Sequence, residues 1–248
     1  MDFLDKLFGT FDKSNFVQIR LSGEIPEEEE KSFLPTMGAK KSLTMWDIEK
    51  VLTHVENSAK LLGVIISLSE LRIGFARANL IRQRLSEIRA SGKKVIVHLE
   101  SGGNIEYLIA SAADKIYMTP WGTLNLIGLK AEVTFYKDAL DKIGVSANMK
   151  GFGEYKSAAE TFTRDSMSTP HKEMMDSILD DLQTQLEGHI SKGRGITPKE
   201  VKNLIDNGPY MTDIAQDNAL IDGVCYETQL EENISILLQA DLSVVKAG

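Results

Sequence analysis

Ser101-Gly102-Gly103 lies between a β-branched run and an apolar, helix-forming run. A strand-to-helix junction of this kind can aim backbone N–H groups at an anion, with a hydroxyl beside them. Ser101 is therefore a candidate nucleophile and Gly102 and Gly103 are candidate oxyanion donors; the plainer reading is a turn that joins strand to helix. The sequence offers this serine no proton acceptor. His54, His98, His171 and His189 are scattered, so no Ser-His-Asp arrangement can be nominated. The same scatter, without a cysteine cluster, predicts no zinc site. Phosphate cradles also fail: Glu87 stands where Gly92-Lys93 would need a glycine, and Gly151-Phe152-Gly153 lacks the third glycine. No metal or other cofactor is expected. Cys225 is the single cysteine, which excludes an intrachain disulfide and reads as a small core residue.

The elements around these residues follow from periodicity. Phe16 to Ser22 alternates apolar and polar residues, predicting a strand with one buried face. Thr44 and Asp47 open a helix expected to run to about Lys60. Gly63 to Leu68 reads as a buried strand, Gly74 to Ala90 as a helix stopped by Gly92, and Val95 to Leu99 as the next strand. A helix over Asn104 to Ala112 and a strand at Lys115 to Met118 follow. Strand and helix alternating in this order predict crossover connections and a parallel sheet. Beyond residue 165, apolar residues from Met174 to Ile190 recur every three or four positions, predicting one long amphipathic helix. Thr197, Pro198 and Glu200 start another helix, Thr212 to Gly223 a short helix and turn, and Glu227 to Leu238 the last helix. The expected division is an N-terminal docking segment (1–12), an α/β core (13–165) and a helical C-terminal extension (166–248).

A formal net charge of -8, with four glutamates at Glu27 to Glu30, repels phosphate backbones, so nucleic acid is not an expected partner. No apolar run reaches the roughly 18 residues of a membrane span. Met1 to Phe11 carries Phe3, Leu4, Leu7, Phe8 and Phe11 at helical spacing, but has no basic region or cleavage site. The segment reads as a helix that docks on a neighbouring chain, with peripheral membrane contact as the second possibility. The expected location is cytoplasmic or peripheral to a membrane.

Three stretches read together resemble the protease IV or signal peptide peptidase A family: Ser91 to Leu99, Tyr107 to Gly122, and Phe135 to Ser168. The likeness extends more loosely from Leu21 to Val224. It implies a crotonase or Clp-protease type of fold, α/β, a spiral of strand-strand-helix units with a helical C-terminal part. It also implies a serine peptidase that uses a lysine base. In members made of two homologous halves, the first gives the lysine and the second the serine. The lysine motif G-x-Y-K-S-A falls on Gly153, Tyr155, Lys156, Ser157 and Ala158, which makes Lys156 the implied general base. A lysine accepts a proton only when neutral, and desolvation between packed subunits would favour that form.

The nucleophile's place, counted back from the shared ADKI, falls on Asn104, whose amide cannot attack a carbonyl. Ser101 lies three residues earlier and stays a lesser candidate. Where single-half members read S-P-G-G, this chain has Ser69, Glu70, Leu71, Arg72 and Ile73, so no oxyanion glycines are recognisable. The implied function is a peptidase component that gives Lys156 to a serine from another domain or chain. It would work on peptides, in a homo-oligomer or in a hetero-oligomer with a serine-bearing half. The alternatives are a catalytically silent structural subunit and, on fold analogy alone, an acyl-CoA enzyme of crotonase type.

Overall fold

A computed structural model describes residues 14–28, 43–149, 152–239 and 241–247. The proposed docking segment and most of the loop between residues 23 and 41 lie outside these. The chain forms two compact units, Met1–Ile127 with His189–Gly248, and Gly128–Gly188. Each is described separately.

In chain order the first unit carries β1 (Phe16–Gly23), α1 (Met45–Asn57), β2 (Gly63–Leu71), α2 (Phe75–Ala90), β3 (Lys94–Leu99), β4 (Gly102–Gly103), α3 (Asn104–Ala110), β5 (Lys115–Met118) and β6 (Thr123–Asn125). The second carries α4 (Lys137–Lys142), a 3-10 turn at Ser157–Ala159, α5 (Glu160–Thr163) and most of α6 (Thr169–Arg194). The chain then returns to the first unit with α7 (Pro198–Asn207), β7 (Tyr210–Met211), α8 (Thr212–Asp217), β8 (Gly223–Val224), α9 (Leu230–Leu238) and β9 (Val244–Ala247).

Six strands form a parallel sheet in the order β8-β5-β3-β2-β1-β9, and β4, β6 and β7 form a second, small sheet. The architecture is α/β, built on a parallel sheet, with a helical C-terminal part. On one face of the main sheet, α2 packs against both α1 and α3. It does so through Ala78, Ile81, Leu85 and Ile88, the three-and-four spacing of one buried stripe. The opposite face buries Phe16, Ile65 and Ile96 under Leu230 and Ile234 of α9 and Cys225. Each such fully buried aliphatic side chain contributes about 1.5–3 kcal/mol.

The strand at Phe16 differs from its expected form. Gln18 is buried as well as its apolar neighbours, because its amide donates to Ser67 Oγ and to Glu227 Oε1, each at 2.8 Å. Strict alternation gave it a solvent face that the sheet does not leave open. The α1 capping box forms as read: Thr44 Oγ1 accepts from the Asp47 N–H and the Asp47 carboxylate accepts from the Thr44 N–H, both at 3.1 Å. The helix ends at Asn57, short of Lys60. Gly102-Gly103, expected as a turn, pairs with Leu124 and Asn125 as a strand.

Candidate active site

The bulge at the end of β2 sets the geometry of the first unit's candidate site. Ser22 pairs with Ser69 and Gly23 with Leu71, leaving Glu70 as the extra residue, with φ at 44°. This left-handed turn presents the Leu71 N–H to Glu106 Oε1 at 2.7 Å. The other carboxylate oxygen, Oε2, accepts from the Gly103 N–H at 2.8 Å. Glu106 is buried, and its charge is met by these two donors at the start of α3. Gly102 is required here: a Cβ on it would lie 2.9 Å from Glu106 Cβ.

Asn104 opens α3. Its Nδ2 donates to the Ile127 carbonyl at 2.8 Å, and its Oδ1 accepts from the Ile127 N–H at 3.1 Å, so the amide pairs with a whole peptide unit. Ser101 Oγ is exposed and accepts from the Thr123 N–H at 3.2 Å. Among the described residues no side chain hydrogen-bonds to it as a base. The first unit thus brings Ser101, Gly102, Gly103 and Asn104 together, but spends the Gly103 N–H and the Asn104 amide on internal partners. Nor do three His, Cys, Asp or Glu side chains converge among the described residues as a cation site requires.

Lys156 belongs to the second unit. It stands just before the 3-10 turn, with its N–H donating to the Gly153 carbonyl at 3.2 Å; Gly153 has φ at 102°, a conformation that favours glycine. The Lys156 side chain is exposed and makes no hydrogen bond or ion pair among the described residues. Beside it Phe152 is 84% and Tyr155 54% exposed. Tyr155 donates to Glu173 at 3.2 Å, and that carboxylate raises the phenol's pKa. Further along, Glu160 accepts from Ser168 Oγ at 2.5 Å and lies 3.1 Å from His171 Nδ1, which ties α5 to the start of α6. His171 is thus a satisfied core histidine.

The first unit is thus built on a parallel α/β sheet, and the second carries an exposed lysine on a loop. The family model described as "Peptidase family S49" matches residues 87–241, more than half of the chain. The chain belongs to this family, that of protease IV and signal peptide peptidase A.

Among its relatives are the chloroplastic serine protease SPPA of Arabidopsis thaliana, 22% identical over 90% of this chain, and protease 4 of Haemophilus influenzae, 26% identical over 79%. The chain spans about a third of the length of these relatives, 33% and 34%. Two solved structures of the 1510-N membrane-bound stomatin-specific protease share the fold. A mutant form has a TM-score of 0.56 at 12% identity, covering 95% of this chain and 98% of its own. Another mutant, in complex with a substrate peptide, has 0.57 at 12% identity, with 95% and 92% covered.

Glu106 was not singled out by sequence reasoning. It lies two residues past Asn104 and three past Gly103. A glycine followed three residues later by glutamate is a helix-start pattern, and that signal could have exposed it.

Proposed function

We propose that this chain is a component of a serine-lysine peptidase, giving Lys156 as general base to a serine carried by another domain or chain. The observation that carries this reading is the contrast within the motif residues: Lys156 is exposed and unspent, while Asn104 and Glu106 fill the nucleophile region with internal hydrogen bonds. The exposed Phe152 and Tyr155 supply apolar surface that a partner would cover. Covering them would desolvate Lys156 and favour the neutral amine. The serine hydroxyl would then give its proton to Nζ as it attacks a peptide carbonyl, and water would release the acyl group. The substrate class is unfolded peptide, including cleaved signal peptides. The assembly is an oligomer with serine-bearing subunits, cytoplasmic or at a membrane surface. No helix among the described residues is long and apolar enough to cross a membrane.

A second reading, a silent subunit that shapes the assembly, is favoured by Asn104 and Glu106 themselves. An acyl-CoA enzyme is less supported, since the Gly103 N–H that a thioester oxyanion would use already donates to Glu106. The test combines this chain with a serine-bearing relative and measures peptide hydrolysis. Lys156→Ala in the assembled complex is expected to lower the rate by about 100-fold or more, without loss of assembly. Lys156→Arg should be nearly as damaging, because a guanidinium stays protonated. Undiminished activity of the Lys156→Ala complex removes the catalytic reading and leaves the structural one.

A further inference from the structure

A cavity of about 460 Å³ opens at the carboxyl ends of the central strands, lined by Arg20, Ser67, Ser69, His98, Glu100 and Glu227 among others. Asn104, Glu106 and Lys156 do not line it. The sheet register builds its floor: Arg20 pairs with Ser67 and Ser67 with His98, so the three side chains form one row on one face. Crevices beyond the carboxyl ends of parallel strands are where open α/β sheets bind ligands.

His98 is only 3% exposed, and its Nε2 lies 3.0 Å from the Cys225 carbonyl oxygen. That oxygen can only accept, so the ring hydrogen sits on Nε2 and Nδ1 presents a lone pair. Among the described residues Nδ1 has no hydrogen-bond partner, and His98 is one of the residues that line the cavity. Burial lowers the imidazole pKa and keeps the ring neutral, against the opposing pull of the Cys225 carbonyl and of Glu227 and Glu100. Arg20 is already ion-paired with Glu227. The Glu100 carboxylate acts on Arg20 through space but makes no ion pair or hydrogen bond among the described residues, so the wall carries one negative charge more than the Arg20–Glu227 pair balances.

A ligand that fits must donate to Nδ1 and bring positive charge to Glu100. An anion would face a lone pair and the Glu100 carboxylate, and the Arg20 charge it would seek is already shared with Glu227. An apolar group would bury Nδ1 without a donor, which is unfavourable. We propose that this cavity binds a primary ammonium group, with His98 Nδ1 accepting one of its N–H donors and Glu100 supplying the counter-charge.

The test titrates the full chain, labelled with 15N, with n-butylammonium and follows the imidazole nitrogen signals. A saturable shift of the His98 Nδ1 signal is expected, absent with n-butanol at the same concentrations. Glu100→Gln, at an exposed position, should weaken binding roughly threefold. His98→Leu should weaken it roughly tenfold or more, with circular dichroism checking the fold. A peptide with a free amino terminus, its Nα-acetylated form, and an acetylated peptide carrying lysine then distinguish a terminal from a side-chain ammonium; binding of either kind supports the site. An equal response to n-butanol, no response to any amine, or a Glu100→Gln chain that binds the cation as tightly as the original overturns it.

Discussion

Asn104 spends both ends of its amide on the Ile127 peptide, and Glu106 spends both carboxylate oxygens on the N–H groups of Leu71 and Gly103. Lys156, in the other compact unit, spends nothing: its ammonium is exposed and has no partner among the described residues. These are different uses of a polar side chain. A buried group with matched partners holds the fold, and its removal strands those partners. An exposed cation without partners does little for folding and is free for another molecule. On the proposed function, the same comparison separates a position spent on structure from one left free to act.

The sharpest way to break that contrast is Glu106→Ala. It leaves two backbone N–H groups without an acceptor in a largely buried place, at a cost of about 3 kcal/mol in all. Glu106→Gln keeps one acceptor oxygen but points an NH2 at a donor, and should cost about 1–2 kcal/mol. Urea unfolding monitored by circular dichroism gives both values. A loss below about 0.5 kcal/mol for the alanine form would mean that the carboxylate does not hold these amides, leaving them available to a substrate oxyanion.

Asn104 gives a smaller effect and a separate readout. Asn104→Ser places a hydroxyl at this position, and the serine cannot span both hydrogen bonds to Ile127. Stability should fall by about 1–2 kcal/mol. A fluorophosphonate probe should label neither the original chain nor this variant, because no base among the described residues hydrogen-bonds to Ser101 or Asn104 and Glu106 still fills the Leu71 and Gly103 donors. Labelling at Ser101 in the original chain would restore that residue as nucleophile. Labelling at residue 104 in the variant would show that the region is still a working site.

What the sequence disclosed, and what it hid, follows the range of the interactions. The strand at Lys115 to Met118, the Thr44-Asp47 box and the helix begun at Pro198 were legible because local periodicity and caps specify them. β4, β6, β7 and β8 span two or three residues each, too few for any period, and form because the tertiary fold brings their partners alongside. Asn104 was legible as a departure from a motif. Its bond to Ile127 was not, being a contact across 23 residues. The Leu71-Glu106 bond depends on a left-handed residue at Glu70, a non-glycine that gives no sequence signal for that conformation. In the sequence His98 is one of four scattered histidines; the structure satisfies one of its nitrogens and leaves the other without a partner among the described residues, in a side chain that lines a cavity.

The smallest expected effect is on Lys156, and its smallness is what sharpens the comparison. The side chain is exposed and gives no hydrogen bond or ion pair to the described residues, so Lys156→Ala in the isolated chain removes no contact that folding depends on. Surface substitutions away from caps and cores rarely matter to stability, and the midpoint of thermal unfolding should move by no more than roughly 1 °C. The backbone of the loop is held separately, by the Lys156 N–H to the Gly153 carbonyl, a bond that alanine retains. A large activity loss in the assembled complex alongside an unmoved midpoint in the isolated chain would place the lysine's role in chemistry rather than in folding. If the midpoint instead falls by several degrees, Lys156 is structural after all. The difference drawn between it and Glu106 would then disappear, and with it the argument that this chain keeps one half of a catalytic pair.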